Sequence, residues 1–171
     1  MKNITQTLSD EHQIILNVID AAYKECTEIE NGKALNVEFF QETIDFIKNF
    51  ADKFHHAKEE DILFKAMLEN FENMHCNPIP VMLHEHDESR GFVKGMEQGI
   101  SENNTKKILE NTKAYCILLQ SHIDKEDNVL YPMAEESLTD EQKNLVNQKY
   151  IEAEQKLNTE MDINAFKSFL K

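Results

Sequence analysis

Apolar positions recur along this chain at intervals of three and four residues, the period of an α-helix with one buried stripe. Ile15, Leu16, Ile19, Tyr23 and Cys26 keep that spacing and predict a first helix to about Glu30. Ser9 is its expected N-cap, Asp10 and Glu11 fill the first turn, and Asn31-Gly32 is the stop. Residues 1–8 read as a frayed lead. A second helix, capped by Asn36, runs to about Asn70 with Ile44, Ile47, Ala51, Ile62 and Ala66 on one face. After a loop holding Pro78 and Pro80, Ile79, Met82, Leu83, His86 and Val93 mark a third helix to about Ile100. Ile108, Tyr115, Leu118, Leu119, His122, Glu126, Val129 and Met133 mark a fourth, from about Thr105 to Glu136. Leu138-Thr139-Asp140-Glu141-Gln142 is a capping box behind a hydrophobic residue. It opens a more polar fifth helix to about Leu157, and residues 161–170 predict a last short one.

Four long amphipathic helices with short connections imply an all-α protein, an up-down-up-down four-helix bundle with additional C-terminal helix or helices. Residues 1–136 form the expected bundle; 137–171 form a helical extension that packs on it or mediates a homodimer. Only four glycines and three prolines occur in 171 residues, too few for the turns of a sheet.

Charge narrows the partners. The formal net charge of −14 opposes nucleic acid and anionic membrane, which both demand basic patches. No apolar run approaches a membrane span, and Met1-Lys2-Asn3-Ile4-Thr5 lacks a signal-peptide pattern, so a cytoplasmic location is expected. Cys26, Cys76 and Cys116 are odd in number and unclustered, and read as free thiols.

The candidate chemistry lies on the predicted inner faces. His55 and Glu59 stand four residues apart, as do His122 and Glu126. Residues i and i+4 share a helix face, so each pair can grip one metal, or one member can bind while the other bridges to a second. His12 and His86 lie on the apolar faces of the first and third helices. At 100° per residue, His56 and Glu60 fall about 100–140° from the centre of the second helix's face, and His84 about 200° from His86. His56, Glu60 and His84 are therefore read as outer groups. At 1.5 Å per residue, His12 and His55 reach the same height from the first turn, and His86 and His122 agree within about a turn. Four histidines and two glutamates thus meet at one level.

Six nitrogen and oxygen donors exceed the four of a structural zinc, and the absence of cysteine argues against iron–sulfur. Imidazole with carboxylate suits iron, manganese or, less often, zinc. Two glutamates from opposite helices can bridge two metals about 3.5–4 Å apart. Tyr115 is read as a core tyrosine two turns before His122, Asp124 and Asp127 as groups that orient histidines, and Arg90 with Glu97 as an ion pair. His75, beside Cys76 in a loop, is read as solvated.

These residues resemble the hemerythrin-like, or HHE cation-binding, family. The likeness rests on Asp10-Glu11-His12, on His55-His56-Ala57-Lys58-Glu59-Glu60-Asp61-Ile62-Leu63-Phe64, on His84-Glu85-His86-Asp87-Glu88, and on His122-Ile123-Asp124-Lys125-Glu126-Asp127-Asn128-Val129-Leu130-Tyr131-Pro132. It covers roughly residues 8–136. The resemblance implies two iron ions in an oxo- or hydroxo-bridged centre, with His12, His55, His86 and His122 as terminal ligands and Glu59 and Glu126 as bridges. It also implies a small diatomic or peroxide ligand (O2, NO or peroxide) and an electron donor of unknown identity. Two departures stand out. Oxygen carriers of the family have a His-x-x-x-His pair on the third helix, and here the earlier position is Met82. They also use an aspartate five residues after the fourth-helix histidine; that position is Asp127, but Glu126 has the better direction. The expected function is binding of, and reaction with, O2, NO or peroxide; the alternatives are an iron sensor or donor in iron–sulfur cluster repair, and a structural zinc protein.

Overall fold

A computed structural model describes residues 3–157. Every element in it is helical, and no strand occurs among the described residues. Helix α1 spans Gln6–Glu30, α2 Val37–Phe46, α3 Phe64–Glu69, α4 Ile79–Ser101, α5 Thr105–Lys125, α6 Tyr131–Ser137 and α7 Asp140–Leu157. Between α2 and α3 the chain stays helical through two π-helical stretches, Ile47–His56 and Glu59–Leu63; a third, Glu126–Leu130, joins α5 to α6. The second predicted helix is therefore one rod with widened turns, and so is the fourth. The predicted helix at 161–170 lies outside the described residues.

Several local signals act as expected. Asn36 Oδ1 accepts the Phe39 amide at 3.2 Å, and Gly32 takes a positive φ of 102° after α1. Thr139 and Gln142 form the reciprocal capping box, the Thr139 amide reaching Gln142 Oε1 at 2.9 Å and the Gln142 amide Thr139 Oγ1 at 3.3 Å.

The start of α1 differs. The helix begins at Gln6, one turn before the expected cap, and Ser9 lies inside it, donating to Asp127 Oδ1 at 2.7 Å. Glu135 accepts the amides of Ile4 and Thr5 at 2.7 and 3.1 Å, which satisfies two donors at the helix entrance. Ile4 and Leu8 are buried, so residues 3–8 are packed and not frayed.

Helix α5 packs along α1 and α4, and the second rod contacts both α1 and α4. Three apolar clusters result among the described residues, and two of them frame the site. One gathers Ile15, Val18 and Ile19 of α1 with Phe46, Phe50 and Phe54, Val93 and Met96 of α4, and Tyr115, Leu119 and Ile123 of α5. The other gathers Ile4, Leu8, Leu63, Phe64, Met67, Met82, Leu130 and Tyr131, and is closed by Val146 and Tyr150 of α7. His12, His55 and His86 each fall in sequence between members of the two clusters, and His122 lies at the end of the first, between Leu119 and Ile123, before the rod reaches Leu130 of the second. Burial of both clusters thus holds a polar layer between them, away from water.

Candidate metal centre

The polar layer contains His12, His55, His56, His86, His122, Glu59 and Glu126, all buried. Their donor atoms form two groups: His12, His55, Glu59 and Glu126; and His56, Glu59, His86 and His122. Within each group the atoms lie within 4.8 Å of one another, close enough to hold a metal ion. Glu59 belongs to both. Its Oε2 sits 3.7 Å from His55 Nε2 and 3.5 Å from His86 Nε2. Glu126 also spans the two, with Oε2 3.2 Å from His12 Nε2 and Oε1 3.1 Å from His122 Nε2.

The six residues singled out in the sequence are therefore brought together. His56 joins them, contrary to its reading as an outer group. An α-helical count fails here because Ile47–His56 is π-helical, and i→i+5 bonding adds about one residue to each turn. The angular step per residue shrinks, and consecutive histidines both face inward. Their rings lie 5.7 Å apart, and His56 stacks on His86 at 3.9 Å with the planes 14° apart. His84 is exposed, as expected, and so are His75 and Cys76.

Widened turns also shape the second motif. Glu59 and Glu126 each begin a π-helical stretch. After Glu126 the inward positions are consequently Leu130 and Tyr131, while Val129 is half exposed, against expectation. Tyr131 thereby enters the layer. Its hydroxyl donates to Glu59 Oε1 at 2.6 Å and lies 3.2 Å from His12 Nε2. The motif contained Tyr131, but helical spacing from His122 gave it no role. Tyr115 remains in the apolar cluster, away from these groups.

Each of the five histidines turns its Nδ1 away from the layer toward a carboxylate. His12 meets Asp127 at 3.0 Å, His55 meets Glu11 at 2.9 Å, His86 meets Glu60 at 2.7 Å and His122 meets Glu85 at 2.8 Å. Asp52 lies 3.5 Å from His56 Nδ1. The first four partners leave each Nε2 free to face inward and fix the ring's orientation, whereas His56 Nδ1 has no hydrogen-bond partner among the described residues. Behind the carboxylates stand further donors. Ser9 binds Asp127, Lys58 binds Glu11, Lys125 binds Glu85, and Arg90 reaches both Asp52 and Glu60. Arg90 does not pair with Glu97, which instead accepts from Lys48 at 2.8 Å. Asp127 does orient a histidine, but one on another helix; Asp124 instead accepts from Asn128.

The electrostatics of the layer are conflicted. Glu59 is pushed well above the usual carboxylate range, first by burial and then by the neighbouring Glu126 charge. Glu126 is held well below that range because His122 and His12 outweigh its burial. Burial holds His55 far down and His56 near 4. Among the described residues, Glu59 Oε2 and both Glu126 oxygens are buried with no hydrogen-bond partner. Buried polar atoms are seldom left so, because each costs about 1–3 kcal/mol. A cation among these oxygens and imidazole nitrogens removes both the deficit and the carboxylate repulsion. The donor set, neutral nitrogen and anionic oxygen without sulfur, fits iron chemistry.

A buried layer of histidines and glutamates between helices, with two groups of donors that could hold a metal ion, fits a metal-binding helical protein. Comparison with known families agrees: the hemerythrin HHE cation binding domain matches residues 3–134. The chain belongs to the hemerythrin HHE cation-binding family, for which the implied metal is typically iron. No curated protein and no solved structure matched the chain. No described helix is long and apolar enough to cross a membrane.

Proposed function

We propose that this chain is a non-haem di-iron protein of hemerythrin type that binds O2, NO or peroxide and reacts with it. In this reading, α1, the 37–69 rod, α4 and the α5–α6 rod form an up-down-up-down four-helix bundle. Residues 1–136 carry the site, and 137–171 form an extension packed on it. His12 and His55 hold one iron; His86 and His122, with His56, hold the other; Glu59 and Glu126 bridge. The carrying observation is the pair of buried glutamates whose unpartnered oxygens face imidazoles of both groups.

Bound iron would supply a Lewis-acid and redox centre for a small ligand. The protein's own residues orient four imidazoles through outer carboxylates, keep the layer dry between two apolar clusters, and place a hydroxyl donor at Tyr131. The test is the visible absorption of anaerobically iron-loaded protein before and after O2 is admitted. A reversible charge-transfer band is expected for a gas-binding site, and an irreversible shift to a diferric spectrum for redox chemistry. A colourless protein that holds zinc and binds no iron would overturn the reading.

A further inference from the structure

Tyr131 begins α6, five residues after Glu126 across a π-helical turn. Phe64 occupies the matching place five residues after Glu59. The two rings play the same packing role: Phe64 stacks over His86 at 6.0 Å and 17°, Tyr131 over His12 at 5.3 Å and 7°. Packing at this position thus needs only a ring, and the Tyr131 hydroxyl is an addition. Burying a phenol oxygen is costly unless it is hydrogen-bonded. The hydroxyls of Tyr115 and Tyr150 are also buried, but they have no partner among the described residues. Tyr131 Oη, by contrast, lies between Glu59 Oε1 and His12 Nε2.

The spacing is that of neighbouring ligands. Nitrogen and oxygen donors bind metals at about 2.0–2.2 Å, so two donors roughly at right angles lie about 3 Å apart. Tyr131 Oη is 3.2 Å from His12 Nε2, the same distance that separates His12 Nε2 from Glu126 Oε2. We propose that the Tyr131 oxygen is itself a ligand of the metal held by His12 and His55. One half of the centre is then completed by a phenolate and the other by His56. On binding, the phenol O–H bond breaks, its proton leaves to the buffer, an oxygen–metal bond forms, and no electron is transferred. Tyrosine oxygen serves iron in this way in catalase. The inference rests on the metal-centre reading above.

The experiment is resonance Raman spectroscopy of the full chain, loaded with Fe(II) under argon, oxidised in air, and assayed for iron. The expected result is a set of phenolate ring modes under visible excitation, lost in Tyr131→Phe and retained in Tyr115→Phe and Tyr150→Phe. Iron content in Tyr131→Phe should remain close to wild type, since the histidines and glutamates are untouched. Iron-loaded wild type without phenolate modes would overturn the proposal and leave the di-iron reading standing. Modes that persist in Tyr131→Phe would also overturn it. Wild type that takes up no iron would overturn both. Should Tyr131→Phe fail to fold, wild-type protein grown with ring-deuterated tyrosine decides: the visible-excited modes must shift, or the ligand is not tyrosine.

Discussion

His56 lies flat against His86, the two imidazole planes 14° apart and their centroids 3.9 Å apart. One ring comes from the second rod and the other from α4. Met82, one turn before His86 on α4, is a buried apolar residue. His56 comes from the neighbouring rod to lie beside Glu59, His86 and His122. The expected outcome of His56→Ala is the loss of one of two bound metals, leaving about one per chain. Metal analysis after dialysis measures it. Two metals retained at full affinity would place His56 outside the coordination.

The outer carboxylates make a separate prediction. Glu85 accepts from His122 Nδ1 at 2.8 Å and is bound by Lys125. Glu85→Gln should weaken metal binding about 10–100-fold, the range for partners that orient a metal-bound imidazole. Helix content should stay unchanged, because the residue sits at the edge of the layer. Chelator competition with circular dichroism alongside checks both parts.

A pH dependence follows for metal-free protein. Burial disfavours charge on His12, but Asp127 and Glu126 outweigh it and raise the group from 6.5 to about 9. Stability from protonated His12 is therefore complete below about 6.5 and lost as pH rises toward 9. Burial raises Glu11 from 4.5 to about 7 against the pull of Lys58, so its contribution also falls as pH rises, over the lower window. His56, held near 4 by burial, acts in the opposite sense between about 4 and 6.5. Between about 6.5 and 7 the first two effects run together, and from there to about 9 the His12 effect continues. The melting temperature of metal-free protein should drop between pH 6.5 and 9, and Asp127→Asn should flatten the drop. A curve equally steep in Asp127→Asn would assign the dependence to other groups.

Close packing of α4 on α5 gives a prediction about stability alone. A Cβ added at Gly99 would stand 2.8 Å from Ile108 Cγ1 and 2.9 Å from its backbone nitrogen. The backbone atom cannot move without shifting α5. Gly99→Ala should cost about 1–3 kcal/mol, the usual range for overpacking. At Gly91 the same Cβ meets nothing within 4 Å, so Gly91→Ala should be neutral or stabilising. Urea denaturation of both variants makes the comparison.

Much of this centre was legible in the residues. Helical periodicity with few Gly and Pro fixes an all-helical chain, because a 3.6-residue apolar stripe has no other way to be buried. The His-x-x-x-Glu spacing at His55 and His122 places both donors of each pair on one face, a purely local consequence of helix geometry. His12 and His86 were found because their apolar neighbours share their faces. The Asn36 cap and the Thr139–Gln142 box are likewise decided within four residues of chain.

Tertiary structure decided the rest. The π-helical turns at Ile47–His56 and Glu126–Leu130 change the angular step and bring in His56 and Tyr131, which α-helical counting turns away. Nothing local demands those turns; each lies where the helix must present bulky donors inward between two apolar clusters. Four of the five outer carboxylates meet histidines on a different helical rod, and only Asp52 lies beside one on its own. Such pairings depend on how the rods are rotated and offset against one another. That relation is set by burial of Phe50, Leu63, Met96 and Leu119 far along the chain, and no spacing within one helix encodes it.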